Sequence, residues 1–303
     1  MRGNGASSGA DTAPVFSCLA RAKVNLALHI TGRREDGYHL LDSFTIFAET
    51  GDQLSLRTAA SSSFTVSGPF AAALEGGGPA DSNLVLRAIA ALQNASGQSL
   101  PPFAVHLEKN LPVASGIGGG SADAAAALRL AQEATGLAVP SDALQSIALD
   151  LGADVPVCLT GRPARMSGIG ETLAPLPPLP RCGLVLVNPG VSVSTPAVFR
   201  ALQRRDNPPL PALPEEFSSR EDLIRWLDGT RNDMQAAAIT LSPVIADVLA
   251  ALEAHPMAEF CRMSGSGATC FALCAPEAAG ALADDLRQRH PGWWIAASEV
   301  SAG

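Results

Sequence analysis

Between Pro112 and Asp123 the chain reads Pro-Val-Ala-Ser-Gly-Ile-Gly-Gly-Gly-Ser-Ala-Asp, with a strand-like segment before it and an Ala-rich helical segment after it. Clustered glycines let a backbone turn several N–H groups toward one point, and the start of a helix adds positive potential there. The chemistry this suits is phosphate binding. The spacing excludes a Walker A loop, because no Gly-Lys-Ser/Thr follows the glycines. It also excludes the dinucleotide fingerprint, because Ser121 stands where a third glycine would follow Gly116 and Gly118. A glycine turn of this kind can also be purely structural.

Three other segments carry chemistry-bearing side chains. In Lys23-Val24-Asn25-Leu26-Ala27-Leu28, strand alternation puts Lys23, Asn25 and Ala27 on one face, which either meets solvent or lines a site. The turn that follows ends in Asp36-Gly37-Tyr38-His39, where the only tyrosine sits beside a histidine. Such a pair can stack on and hydrogen-bond a planar ring, or anchor a core. Leu151-Gly152-Ala153-Asp154-Val155-Pro156 puts an Asp just past a predicted helix end, where the dipole is unfavourable for a carboxylate. Met263-Ser264-Gly265-Ser266-Gly267-Ala268-Thr269 is a small-residue turn with little specificity of its own.

The elements that must position these residues are mixed. Strands are expected over Phe16–Ile30, Ser43–Arg57, Phe103–Leu107 and Gly183–Val187, with turn signals at Gly32, Asp36-Gly37 and Gly51-Asp52. Asp81-Ser82 can cap a helix from Asn83 to Ala95, a second helix runs from Ser121 to Thr135, and Ser141 can cap a third ending at Gly152. Pro208 to Pro214 reads as a linker. Helices follow near Arg220–Leu227, Asp233–Ile239 and Pro243–Ala254. A strand–turn–strand then brackets Ser264–Gly267, and a helix from Pro276 precedes a last strand near Trp293–Ala297. Strands and helices mixed in both halves indicate an α+β chain of two lobes.

Composition narrows the partners. A net charge of −8 over 303 residues argues against nucleic acid, which needs a basic face. No apolar run approaches the roughly 18 residues of a membrane span, so no membrane partner is expected. Residues 1–15 lack an apolar core and read as a disordered tail, not a signal peptide. Six cysteines without CxxC pairing indicate free thiols in a reducing cytoplasm. Lys23 and Lys109 are the only lysines, and in so lysine-poor a chain a lysine inside a motif is not expected to be incidental.

Taken together, the four segments resemble the GHMP kinase superfamily from about Phe16 to the C-terminus. The Lys23–His39 motif is most similar to the branch that phosphorylates the 2-hydroxyl of 4-diphosphocytidyl-2-C-methyl-D-erythritol. Ser115, Ile117 and Ala122 depart from the commonest residues of the loop, but no turn glycine is lost. The resemblance implies a ribosomal-S5-like N-terminal lobe over 16–175, a ferredoxin-like C-terminal lobe over 176–303, and a cleft between them. It implies Asp154 as general base with Lys23 as its partner, and ATP held by Pro112, Val113, Ala114, Ser115, Gly116, Ile117, Gly118, Gly119, Gly120, Ser121 and Ala122. It further implies Asn25, Tyr38, His39, Thr195 and Phe199 near the cytidine diphosphate substrate, Gly265 and Gly267 lining the cleft, and Mg²⁺ with ligands unassigned. The alternatives are a sibling GHMP kinase acting on another small molecule, or a nucleotide-binding regulator of the same fold without catalysis.

Overall fold

The computed structural model describes residues 13–74 and 83–300. Two long antiparallel strands, β1 (Phe16–Arg33) and β2 (His39–Thr58), form the backbone of the first lobe. Their pairing is interrupted by irregularities between Arg21 and Lys23, Asn25 and Ala27, and Ile30 and Gly32. These bulges bend the ribbon, and at the second of them Leu26 and Ala27 are both fully buried. The simple alternation expected from the sequence is therefore broken. Strand β2 also pairs β4 (Phe103–Glu108) and β5 (Ala164–Gly168), with β3 (Ser63–Ser67) and β6 (Thr172–Pro175) on the edges.

Helices α1 (Leu84–Ser96), α2 (Gly119–Thr135), α3 (Ser141–Leu151) and α4 (Val155–Thr160) cover this sheet through Leu92, Leu128, Leu130, Ala148 and Val157. The cap of α1 is Asn83, whose Oδ1 accepts from Val85 N at 2.9 Å; the expected caps Asp81 and Ser82 lie outside the described residues. Ser141 is the first residue of α3, not its cap, and the preceding Pro140 starts the helix without a side-chain bond. Helix α2 begins two residues earlier than the pattern suggests, so Gly119 and Gly120 belong to its first turn. The short helix α4 has no counterpart in the sequence reading. Of the expected tail, residues 13–15 form no helix or strand and the rest lies outside the described residues.

The second lobe is a four-stranded antiparallel sheet in the order β10 (Trp294–Glu299), β7 (Gly183–Asn188), β9 (Cys270–Cys274), β8 (Phe260–Met263). The order 4-1-3-2 with helices between its first and second and its third and fourth strands is ferredoxin-like. Those helices are α5 (Thr195–Ala201), α6 (Arg220–Asp228), α7 (Gln235–Leu241), α8 (Val244–Glu253) and α9 (Ala279–Arg289). The proline-rich 208–214 segment is a packed strap. Leu210 is buried, its N–H donates to Asp42 Oδ2 at 2.9 Å, and Asp42 is paired with Arg165.

A third core lies between the sheets, where Val24, Leu26, Phe44 and Ile46 meet Leu184, Leu186, Phe271 and Leu273. Full burial of each such side chain contributes about 1.5–3 kcal/mol. Arg262 crosses the same boundary: it is buried, donates to Leu26 O, Thr230 Oγ1, Leu227 O and Thr230 O, and lies 4.6 Å from the centre of the Phe260 ring. Burial lowers its pKa to about 10.

Candidate active site

The loop after β4 and the Ser264–Gly267 turn interlock. Ser264 Oγ donates to Gly116 O at 3.0 Å and Thr269 N to Ser115 O at 3.1 Å. Gly116 has φ +77°, and a Cβ there would stand 2.5 Å from Ser264 O. Gly265 has φ +55°, and its Cβ would stand 2.6 Å from Gly116 O. Two glycines facing each other are thus what lets the two backbones touch. Gly118, at φ +64°, then turns the chain into α2, whose first residues Gly119, Gly120 and Ser121 line a cavity of about 1230 Å³. Their N–H groups are the first donors of a helix and have no partner within it.

Lys23 and Asp154 meet on the same cavity wall. Bulged β1 carries the lysine inward, its backbone N–H donating to Ile117 O at 2.9 Å, so strand and phosphate loop are tied together. Its Nζ lies 2.8 Å from Asp154 Oδ1. Asp154 is three residues beyond α3 and directly precedes α4, so the helix end nearest it is an N-terminus, which favours a carboxylate. This reverses the dipole expected from the sequence. Beside the pair, Asn25 is buried, its Nδ2 donating to Ser43 Oγ at 2.7 Å, while its Oδ1 is buried without a partner.

Lys109, the other lysine, is buried beneath the glycines. It bridges Asp52 Oδ2 and Asp123 Oδ2, the latter at 2.8 Å, and Asp52 Oδ1 accepts from Asn110 N and Leu111 N. A Cβ on Gly119 would come within 3.1 Å of Lys109 Nζ. Burial is the main cause that raises the Asp123 pKa to about 7; the Asp52 charge adds to it and Lys109 opposes it. The two carboxylates keep the Lys109 pKa raised against its own desolvation.

At another part of the cavity, the His39 ring stacks on Phe199 with centroids 4.3 Å apart and planes 15° from parallel. His39 Nε2 is buried without a partner, and burial, then Arg33 and Arg205, hold its pKa below the usual value. Tyr38 is 59% exposed and forms part of the wall. Thr195 Oγ1 lies 2.7 Å from Ser266 Oγ, joining α5 to the glycine turn.

The cavity wall thus holds Lys23, Asn25, Tyr38, His39, Asp154, Thr195, Phe199 and Gly265, together with Pro112–Gly116 and Gly118–Ser121. Ile117, Ala122 and Gly267 are not on it. Ile117 is buried in the core between the sheets, Ala122 in the first lobe's core with its N–H bonded to Gly118 O, and Gly267 packs on Met263. Sequence reasoning missed Lys109, Asp123, Arg33, Arg200, Arg205 and Ser266, all on the wall. The scarcity of lysine was the available signal for Lys109.

Comparison with known proteins agrees with this geometry. The GHMP kinases N terminal domain matches residues 83–162 and the GHMP kinases C terminal domain residues 210–292. The 4-diphosphocytidyl-2-C-methyl-D-erythritol kinase of Dinoroseobacter shibae is 52% identical over 279 residues, covering 92% of each chain. That of Brucella melitensis is 48% identical over 290 residues, covering 94% of this chain and 95% of its own. The crystal structure of a 4-(cytidine 5'-diphospho)-2C-methyl-D-erythritol kinase superposes with TM-score 0.77 at 34% identity, over 95% of this chain and 100% of that one. The chain belongs to the 4-diphosphocytidyl-2-C-methyl-D-erythritol kinase family of the GHMP kinases.

Proposed function

We propose that this protein transfers the γ-phosphoryl group of ATP to the 2-hydroxyl of 4-diphosphocytidyl-2-C-methyl-D-erythritol, in the non-mevalonate route to isoprenoid precursors. The observation that carries the reading is the Lys23–Asp154 pair, 2.8 Å apart, on the wall shared with the glycine loop. Asp154 accepts the hydroxyl proton as the substrate oxygen bonds to the γ-phosphorus and the bond to the β-phosphate oxygen breaks. Lys23, 2.8 Å away, holds the Asp154 carboxylate in place. Loop residues 112–116 and 118–121 hold the ATP phosphates, with Ile117 and Ala122 anchoring the loop in the cores behind it, and the apolar wall of Phe64, Val66, Leu84 and Leu107 suits a purine ring.

Asn25 and Thr195 hold the acceptor end of the substrate, Tyr38, His39 and Phe199 its cytosine, and Gly265 shapes the cleft. A magnesium ion bound with ATP takes most of its ligands from phosphate and water. The Ser121 hydroxyl, on the wall at the start of α2, is placed to add one. When bound, the ion supplies charge neutralisation on the phosphates. The same reading places the boundary between lobes at 175/176, supported by one sheet ending at Pro175 and the other beginning at Gly183. It also places the enzyme in the cytoplasm; among the described residues no helix is long and apolar enough to cross a membrane.

The test is coupled ADP release with ATP and, in turn, the cytidine substrate, mevalonate, homoserine, a free sugar and no acceptor. Turnover with the cytidine substrate alone is expected. Turnover only with another acceptor would reassign the substrate, and none with any acceptor would leave a nucleotide-binding regulator.

A further inference from the structure

In a chain of net charge −8, cations that face a cavity without a carboxylate partner are worth locating. Lys23 and Lys109 both have such partners. Arg33, Arg200 and Arg205 do not; they line the cavity beside the stacked His39 and Phe199, and no Asp or Glu among the described residues lies within ion-pair distance of them. The nearby Asp36 is on the same wall, but Arg34 pairs with it at 2.7 Å.

Two of the three guanidinium groups are held in place by backbone. Arg33 Nε donates to Gly37 O at 3.2 Å. Arg205 donates through one terminal nitrogen to Arg200 O at 3.2 Å and Phe199 O at 3.5 Å, the carbonyls at the end of α5. That leaves Arg205 Nε buried without a partner, near the equally unpartnered His39 Nε2. The field of Arg33 and Arg205 reaches His39, whose pKa both lower. Fixed guanidinium forks with spare N–H groups are the donors suited to phosphate oxygens.

We propose that Arg205 and Arg33, with Arg200 at the rim, form the site that grips the diphosphate of the cytidine nucleotide. This rests on the substrate reading given above. In that molecule the diphosphate follows the ribose, so donors beside the rings that take the base are within its reach. The arginines then supply selection for a nucleoside diphosphate over a bare nucleoside, which the aromatic pair alone cannot provide.

The test measures affinities for CDP and for cytidine by calorimetry on the full chain, with the phosphate loop filled by saturating ADP. Wild type should bind CDP more tightly than cytidine, by a margin that shrinks as salt rises. Arg205→Gln and Arg33→Gln should each weaken CDP by about tenfold or more while cytidine changes little. Arg205→Lys, which keeps charge without the fork, should recover part of the loss. Parallel weakening of both ligands would overturn the proposal, since Arg205 would then only support α5 and Phe199. Unchanged CDP affinity in both Gln variants would overturn it as well. Should Arg205→Gln fail to fold, Arg33→Gln and the salt dependence of wild type still decide: equal affinity for CDP and cytidine refutes the site. Turnover of the cytidine substrate by wild type is followed in parallel. Its absence would sink the substrate reading, whereas turnover without any CDP preference would sink only the arginine site.

Discussion

The Lys23 side chain is 5% exposed, whereas that of Asp154, whose carboxylate it holds at 2.8 Å, is 38% exposed. The pair is therefore asymmetric, with a fixed buried cation and a carboxylate left open on its acceptor side. Asp154→Asn keeps the shape and removes the base, so kcat should fall by roughly 10²–10⁴ while ATP affinity stays near wild type. A variant that retains most of its kcat would rule out proton transfer to Asp154, leaving positioning as its contribution.

Gly118 connects the loop to the catalytic lysine. A Cβ at this position would stand 3.1 Å from Lys23 Cβ, at a φ of +64° that a β-branched residue resists. Gly118→Val should thus weaken ATP binding and also lower kcat, because Lys23 must shift from Asp154. Calorimetry with ATP and steady-state rates check both. Gly97 would be a poor control, because it has φ +64° at the end of α1 and would be strained by a side chain. Gly280→Ala is the better control, with open space around it in α9.

Tyr38 and Phe199 differ in what else they support. Tyr38 is mostly exposed, so Tyr38→Ala should leave the melting temperature nearly unchanged. Phe199 holds the His39 ring by stacking, and Phe199→Ala frees that ring as well. Both should raise KM for the cytidine substrate, by about 5- to 150-fold for a lost base stack worth about 1–3 kcal/mol. The larger effect belongs to Phe199. An unchanged substrate KM in both variants would move the base elsewhere.

Asp123 gives a pH signature. Its folded pKa, about 7, lies above the ordinary carboxylate value of 3.8. The folded protein therefore keeps a proton that the unfolded chain releases, and this stabilisation is complete below about pH 4 and lost as pH rises toward about 7. Asp123→Asn removes the titration, so its melting temperature should fall less than that of wild type across that interval. Parallel curves would mean that Lys109 holds Asp123 ionised throughout.

The glycine loop and the Lys23–His39 segment were legible because their chemistry depends on local features: backbone freedom, strand register and rare residue types. Asp154 was legible only through resemblance, since its neighbouring helix α4 is six residues long with Pro156 near its start, too short for a periodic pattern. Arg205 and Asp123 could not be read at all. One acquires its surroundings from the start of β2 and from α5, far apart in sequence, and the other from Asp52 and Lys109 on neighbouring strands and loops. The proline-rich strap was misread for a related reason. Its composition suits a linker, and what lays it down on the sheet is distant in sequence: the buried Asp42 carboxylate on Leu210 N–H, and Arg165, Trp226 and Arg231 on its carbonyls.

The apolar layer shared by both sheets bears on how reactants enter. Parting the lobes like jaws would strip Phe44, Ile46, Leu184 and Phe271 from one another and pull Arg262 off the Leu26 carbonyl. The molecule is consequently a poor hinge. ATP and acceptor must come in past the rim, where the largely exposed 34–38 turn can yield without breaching a core, and heating should melt both lobes in one transition, not two.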